Sequence, residues 1–144
     1  MISFRPIEPA DFERVFDIWR SSVLATHDFL TEEDRTDIAT QVKDLYIPNT
    51  PLILGVQDGT IVGFMGMTDN HIDALFIDPD YLGQSLGKAF IQHARTITKG
   101  PLSVDVNEQN EGAHRFYEKM GFTVISRTET DSDGRPYPIL YLKE

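Results

Sequence analysis

Apolar positions along the chain recur with two periods, and where one gives way to the other the elements change. Ile2 to Arg5 reads as a short strand, and Pro6 and Pro9 bracket a turn, with Pro9 suited to the first turn of a helix. Phe12, Val15, Phe16, Trp19 and Val23 then follow helical spacing, which predicts a helix with one buried face. The stretch 25–30 interrupts it. Thr31 with Asp34 resembles a capping box. Ile38, Val42 and Leu45 carry the apolar stripe of a second helix, stopped by Pro48-Asn49-Thr50-Pro51.

Three strands are predicted next. Leu52 to Gln57 runs into Asp58-Gly59, a hairpin turn signal. Ile61 to Thr68 returns, its Gly63 and Gly66 marking a bulge or a close backbone approach. Asp69-Asn70 turns the chain into His71 to Ile77, closed by Asp78-Pro79. Helical spacing resumes at Leu86, Phe90, Ala94 and Ile97, and Gly100-Pro101 ends it. Leu102, Val104 and Val106 alternate with Ser103 and Asp105 as a strand. Ala113, Phe116, Tyr117 and Met120 mark a fourth helix capped by Gly121. Phe122 to Thr130 and Tyr137 to Leu142 close the chain as two strands around an Asp131–Gly134 turn. The order β-α-α-β-β-β-α-β-α-β-β combines an antiparallel meander with a strand–helix–strand crossover, which makes its two strands parallel. An α/β (α+β) fold follows, one mixed sheet with helices on both faces.

Composition narrows the chemistry. A length of 144 residues suits one domain. Thirteen Lys and Arg against 23 Asp and Glu leave a net charge of −10, which argues against nucleic acid as a partner. There is no Cys, so disulfides, thiolate-bound zinc and a Cys nucleophile are excluded. No apolar run approaches the roughly 20 residues of a membrane span, and the stretch from Met1 to Arg5 lacks the layout of a signal peptide. A cytoplasmic protein is expected. The four His do not cluster as metal ligands, and no metal is expected.

Three stretches stand out within this order: Ile72-Asp73-Ala74-Leu75-Phe76-Ile77-Asp78-Pro79, Tyr81-Leu82-Gly83-Gln84-Ser85-Leu86-Gly87-Lys88, and Asn107-Glu108-Gln109-Asn110 with Ala113, Phe116-Tyr117-Glu118-Lys119 and Gly121-Phe122. Together they resemble the GNAT superfamily of acetyl-CoA-dependent N-acetyltransferases, over essentially the whole chain and nearest to one bacterial branch. The resemblance implies a single N-acetyltransferase domain over residues 1–144. Its sheet would be mixed and mostly antiparallel, of about seven strands with helices on both faces and a splayed central parallel pair. The family's loop pattern is Arg or Gln, two residues, Gly, one residue, then Gly or Ala. Here Leu82 and Ser85 stand at the first two fixed positions and Gly87 at the last.

The resemblance also implies roles. The acetyl-CoA diphosphate would sit on Leu82, Gly83, Gln84, Ser85, Leu86, Gly87 and Lys88. Lys88 is the only cation near in sequence, so backbone N–H groups and the helix dipole must supply the attraction. The pantetheine arm would pair with Leu75, Phe76 and Ile77, with a backbone N–H near Phe76 or Ile77 for the oxyanion. Asn107, Asn110, Ala113 and Phe116 would complete the cosubstrate site, Asn107 being otherwise a turn former. Tyr117 would protonate the departing thiolate, its alternative being a core Tyr with a structural hydrogen bond. Asp73 would serve as base, with His27 and His71 as competitors.

His27, Asp28, Phe29 and His71 would bind the acceptor, with Arg20, Tyr46 and Tyr137 framing the pocket. Acidic Asp28, Asp73 and Asp105 favour a cationic amine, on a protein Lys or a small molecule. With no Cys and no Ser/His/Asp arrangement evident in the sequence, direct attack in a ternary complex is expected. The partners implied are acetyl-CoA and an amine acceptor, without nucleic acid or membrane; a homodimer is left open. The alternative is a catalytically weak acyl-CoA sensor, which Leu82 and Ser85 favour.

Overall fold

Seven stretches with strand-like alternation pair into the sheet of the computed structural model: β1 (Ile2–Pro6), β2 (Ile53–Gln57), β3 (Thr60–Thr68), β4 (His71–Ile77), β5 (Ser103–Asn107), β6 (Thr123–Thr128) and β7 (Ile139–Lys143). Residues 2–144 are described; Met1, the first residue of the stretch read above for a signal-peptide layout, lies outside them. The strand order is β1-β2-β3-β4-β5-β7-β6. The pairs β1/β2, β2/β3, β5/β7 and β6/β7 are antiparallel, and β4/β5 is the expected parallel pair. Helices α1 (Phe12–Thr26), α2 (Glu32–Gln41), α3 (Ile47–Asn49), α4 (Leu86–Ile97) and α5 (Glu111–Lys119) join them. The chain divides into two compact units. One holds the residues up to Gly66 with Ala74–Ile91, the other Met67–Asp73 with Gln92–Glu144.

In the first unit, Val15, Ile18, Trp19 and Val23 form the buried face of α1 predicted from their spacing. They pack with Ile47, Leu52, Leu54 and Phe64 as one apolar cluster. The β2–β3 hairpin turns on Asp58 and Gly59, both left-handed at φ 52° and 79°, as a primed turn requires. The sequence left a bulge and a close approach open for Gly63 and Gly66, and both occur. The β2/β3 register shifts beside Gly55. A Cβ at Gly63 would stand 2.8 Å from the Phe76 carbonyl oxygen, and one at Gly66 would stand 2.5 Å from the Tyr46 hydroxyl. Arg14 then ties the end of β4 down, donating to the Ile61 carbonyl and to Asp78 at 2.7 Å each. Asp78 also accepts from the Asp80 N–H and so caps the turn after the strand.

One helix departs from its predicted face. Thr31 caps α2 as expected, accepting from the Asp34 N–H at 3.1 Å. Beyond Gln41, however, Val42–Tyr46 forms a π-helical turn, closed by the Ile47 N–H on the Val42 carbonyl. Its wider winding rotates Leu45 off the apolar stripe, leaving it 64% exposed, and Ile47 takes the buried place.

In the second unit, β5 pairs with β7 along its full length, Ser103↔Lys143 to Asn107↔Ile139. Its pairing with β4 comprises His71↔Ser103 and Ile72↔Val104. Ile72, Val104, Val106, Leu140 and Leu142 are buried; strand alternation puts them on one face. Asn110 caps α5 by accepting from the Ala113 N–H. Gly121, at φ 101°, ends the helix as expected. The last strand starts later than the sequence suggested, because Tyr137 and Pro138 precede it in irregular backbone; Tyr137 is nonetheless buried.

Gly63→Ala should cost about 1–3 kcal/mol, because the added methyl meets backbone that cannot yield. Chemical denaturation measures this; an unchanged midpoint would place the Phe76 carbonyl elsewhere.

Candidate active site

The loop after β4 builds the most complete part of the site. Asp78 fixes its start, and Leu82 closes the short turn by donating to the Pro79 carbonyl. Gly83 and Ser85 both take left-handed backbone, at φ 84° and 59°. Ser85 stands where the family's middle Gly was expected, and for a non-Gly residue this conformation costs about 1 kcal/mol. The Ala89 N–H donates to the Ser85 carbonyl and starts α4. Among the described residues, no hydrogen bond takes up the backbone N–H groups from Gly83 to Lys88. Such a run of free donors at a helix N-terminus suits a diphosphate. The Gln84 Oε1 accepts from the Gln57 side chain; Leu82 is 59% exposed.

On β4, Leu75, Phe76 and Ile77 are half-buried, and the Phe76 ring stacks on Phe64 at 5.4 Å. The loop between α1 and α2 holds the acceptor candidates of the same unit. His27 is half-buried, with Nδ1 2.7 Å from the Thr26 hydroxyl and its ring 5.2 Å from Phe29; Asp28 is exposed. Burial pushes the His27 imidazole below its ordinary value, and Asp28 partly offsets this.

The second unit carries the titratable cluster. His71 Nδ1 lies 2.8 Å from the Ser103 hydroxyl, and Nε2 lies 3.1 Å from Asp105 and 3.9 Å from Asp73. The ring stacks on Tyr141 at 5.8 Å. Asp73 in turn accepts from the Thr68 hydroxyl at 2.7 Å. A Ser–His–Asp string therefore exists, contrary to the sequence reading, because parallel pairing brings residue 71 beside 103. Ser103 is buried, so it orients the ring and is not placed to attack a substrate.

Tyr117 points into apolar surroundings, 6% exposed and edge-on to Phe116 and Phe122 at 5.1 and 5.4 Å. Phe116 is the half-buried ring of the pair, and Tyr117 takes the interior. Desolvation pushes the Tyr117 phenol well above its ordinary range. Among the described residues its hydroxyl makes no hydrogen bond, so the structural bond of the alternative reading is not formed. Asn107 does form the turn: its Oδ1 accepts from the Gln109 N–H at 3.0 Å, which leaves the amide NH2 for a ligand. Asn110 spends its oxygen on the α5 cap. Ala113, beside it on the first turn of α5, is half-buried.

A sequence model described as the acetyltransferase (GNAT) family matches residues 12–122. The chain belongs to this family. A peptidyl-lysine N-acetyltransferase YjaB of Salmonella typhimurium is 48% identical, over 99% of this chain and 97% of that protein. The YjaB of Escherichia coli is 43% identical, over 99% and 96%. The solution structure of apo-form YjaB from Escherichia coli superimposes with a TM-score of 0.94, at 43% identity and covering 99% of this chain and 97% of that one. These likenesses put the chain in the YjaB branch. It is an acetyl-CoA-dependent N-acetyltransferase. No helix among the described residues is long and apolar enough to cross a membrane.

The sequence did not name Ser103, Tyr141 or Thr68 as partners of His71 and Asp73. The signal was present as alternation: His71 and Asp73 share one face of β4, and Ser103 and Asp105 share one face of β5.

The lowered His27 value means that the unfolded chain binds more protons than the folded one as pH falls below 6.5. Stability should therefore drop on acidification through that range, and His27→Gln should lose less between pH 7.5 and about 5.5 than the parent. Melting temperatures across that interval measure it; equal losses would mean His27 titrates normally in the fold.

Proposed function

We propose that this enzyme acetylates a primary amine, a protein Lys side chain, by direct attack on the acetyl-CoA thioester in a ternary complex. The observation that carries this reading is the His71 cluster, a half-buried imidazole set between two carboxylates. Asp73 and Asp105 attract an alkylammonium, and the close relatives' name, peptidyl-lysine N-acetyltransferase, agrees with that charge. An amine attacks only after losing a proton, and a Lys amine, with pKa near 10.4, is mostly protonated at neutral pH. His71 Nε2 takes that proton. Ser103 accepts from Nδ1–H and holds the ring, while Asp105 and Asp73 compensate the imidazolium.

His71 serves better as base than Asp73, because Asp73 already accepts from Thr68 and its other oxygen stands 3.9 Å from the imidazole. Asp73 acts through the imidazole.

Tyr117 supplies the acid. Its raised pKa keeps it protonated at neutral pH. Apolar surroundings that disfavour a phenolate also disfavour a bare thiolate, so proton transfer to the departing sulfur is coupled to bond breaking. Leu75, Phe76 and Ile77 offer their backbone to the pantetheine arm. Backbone N–H groups from Gly83 to Lys88 hold the diphosphate.

Steady-state assays of thiol release with a Lys-containing peptide separate these roles. Tyr117→Phe should lower kcat about 100-fold or more with acetyl-CoA affinity unchanged. His71→Gln should lower kcat/KM by a similar factor, again with acetyl-CoA affinity unchanged. Full activity in either variant removes that residue from the chemistry. A preference for small polyamines over every Lys peptide would overturn the acceptor.

A further inference from the structure

We propose that the groove between α1 and α2 binds a small organic anion with an apolar body, a carboxylate carried on an aryl or alkyl group. The groove lies wholly within the first unit and is independent of the acetyl-transfer reading. Its volume of about 460 Å³ falls within the range of about 300–1,000 Å³ usual for small-molecule sites. It exists because α2 packs incompletely. No residue of α2 is buried, and Ile38 and Ala39 are only half covered.

The apolar part is built from α1. Phe16 and Trp19 stack at 5.8 Å with 16° between their planes, and Leu24 stands 56% exposed at one end. The charged part is cationic, against the trend of a chain with net charge −10. The Arg20 guanidinium and the Lys43 ammonium each lie 5.8 Å from the centroid of the Phe16 ring. Arg35 lines the facing wall, and Asp44 is the only acid in the lining. Arg20 is engaged by Asp17 at 2.9 Å. Arg35 and Lys43 have no carboxylate at ion-pair distance among the described residues.

Two cations without a carboxylate partner among the described residues, beside the half-buried Phe16 and the exposed Leu24, select an amphipathic anion, since a bare ion leaves the apolar wall wet and a neutral hydrocarbon leaves the cations without a counter-charge. Both walls run into the 27–31 loop, so an anion bridging them also fixes the two helices that flank His27 and Phe29.

The test is an NMR titration of the ¹⁵N-labelled full chain with 4-phenylbutyrate, and with 4-phenylbutanol as the neutral match. The acid should shift amides in 16–24 and 35–44 and saturate below about 10 mM, with the alcohol about tenfold weaker. Arg35→Glu with Lys43→Glu should remove the preference for the acid while binding of the alcohol persists. Arg35→Gln with Lys43→Gln should remove it as well, should the charge reversal fail to fold. Equal binding of acid and alcohol, shifts confined to other residues, or no saturation overturns the proposal. Groove shifts that appear on raising protein concentration without the probe overturn it too, because a second copy is then the occupant.

Discussion

Like charges repel, and this chain of net charge −10 uses a polyanionic cosubstrate. Side chains do not resolve the conflict around the proposed diphosphate loop, where Lys88 is the only cation. The backbone can. A left-handed Gly83, a left-handed Ser85 and the first turn of α4 leave six consecutive N–H groups, Gly83 to Lys88, without a partner among the described residues. Partial positive charge at a helix N-terminus is fixed by geometry and needs no lysine. The rest of the surface is then free to remain acidic, as a cationic acceptor favours.

The same economy governs the chemistry. His71 and Tyr117 sit in opposite environments, one among carboxylates and a hydroxyl, the other among rings. Polar neighbours stabilise a proton gained, and apolar neighbours hold a proton until a leaving group needs it. In the reaction proposed above, one base and one acid of this kind would serve direct acetyl transfer, without the covalent intermediate that the lack of Cys argues against.

Much of this was readable from the residues. Helical spacing located the buried face of α1, Asp58-Gly59 located its hairpin, and the order of elements announced the parallel pair. Local rules reached these features because each depends on a few neighbouring positions. Leu45 escaped them, since a π-helical turn changes the winding without a residue that signals it. The Ser103–His71–Asp105 string escaped for another reason: its members lie 32 and 34 positions apart, and only the strand register joins them. Phe116 and Tyr117 were placed on the right helix, but adjacent rings on a short helix do not reveal which one faces inward; Tyr117 does.

The backbone cradle is most directly tested by following the amide resonances of Gly83 to Lys88 while coenzyme A is added, with pantetheine, which lacks the diphosphate, as the comparison. Downfield shifts of these amides with coenzyme A and none with pantetheine are expected. Saturable binding of coenzyme A that leaves them unmoved would contradict the proposed mode of anion binding.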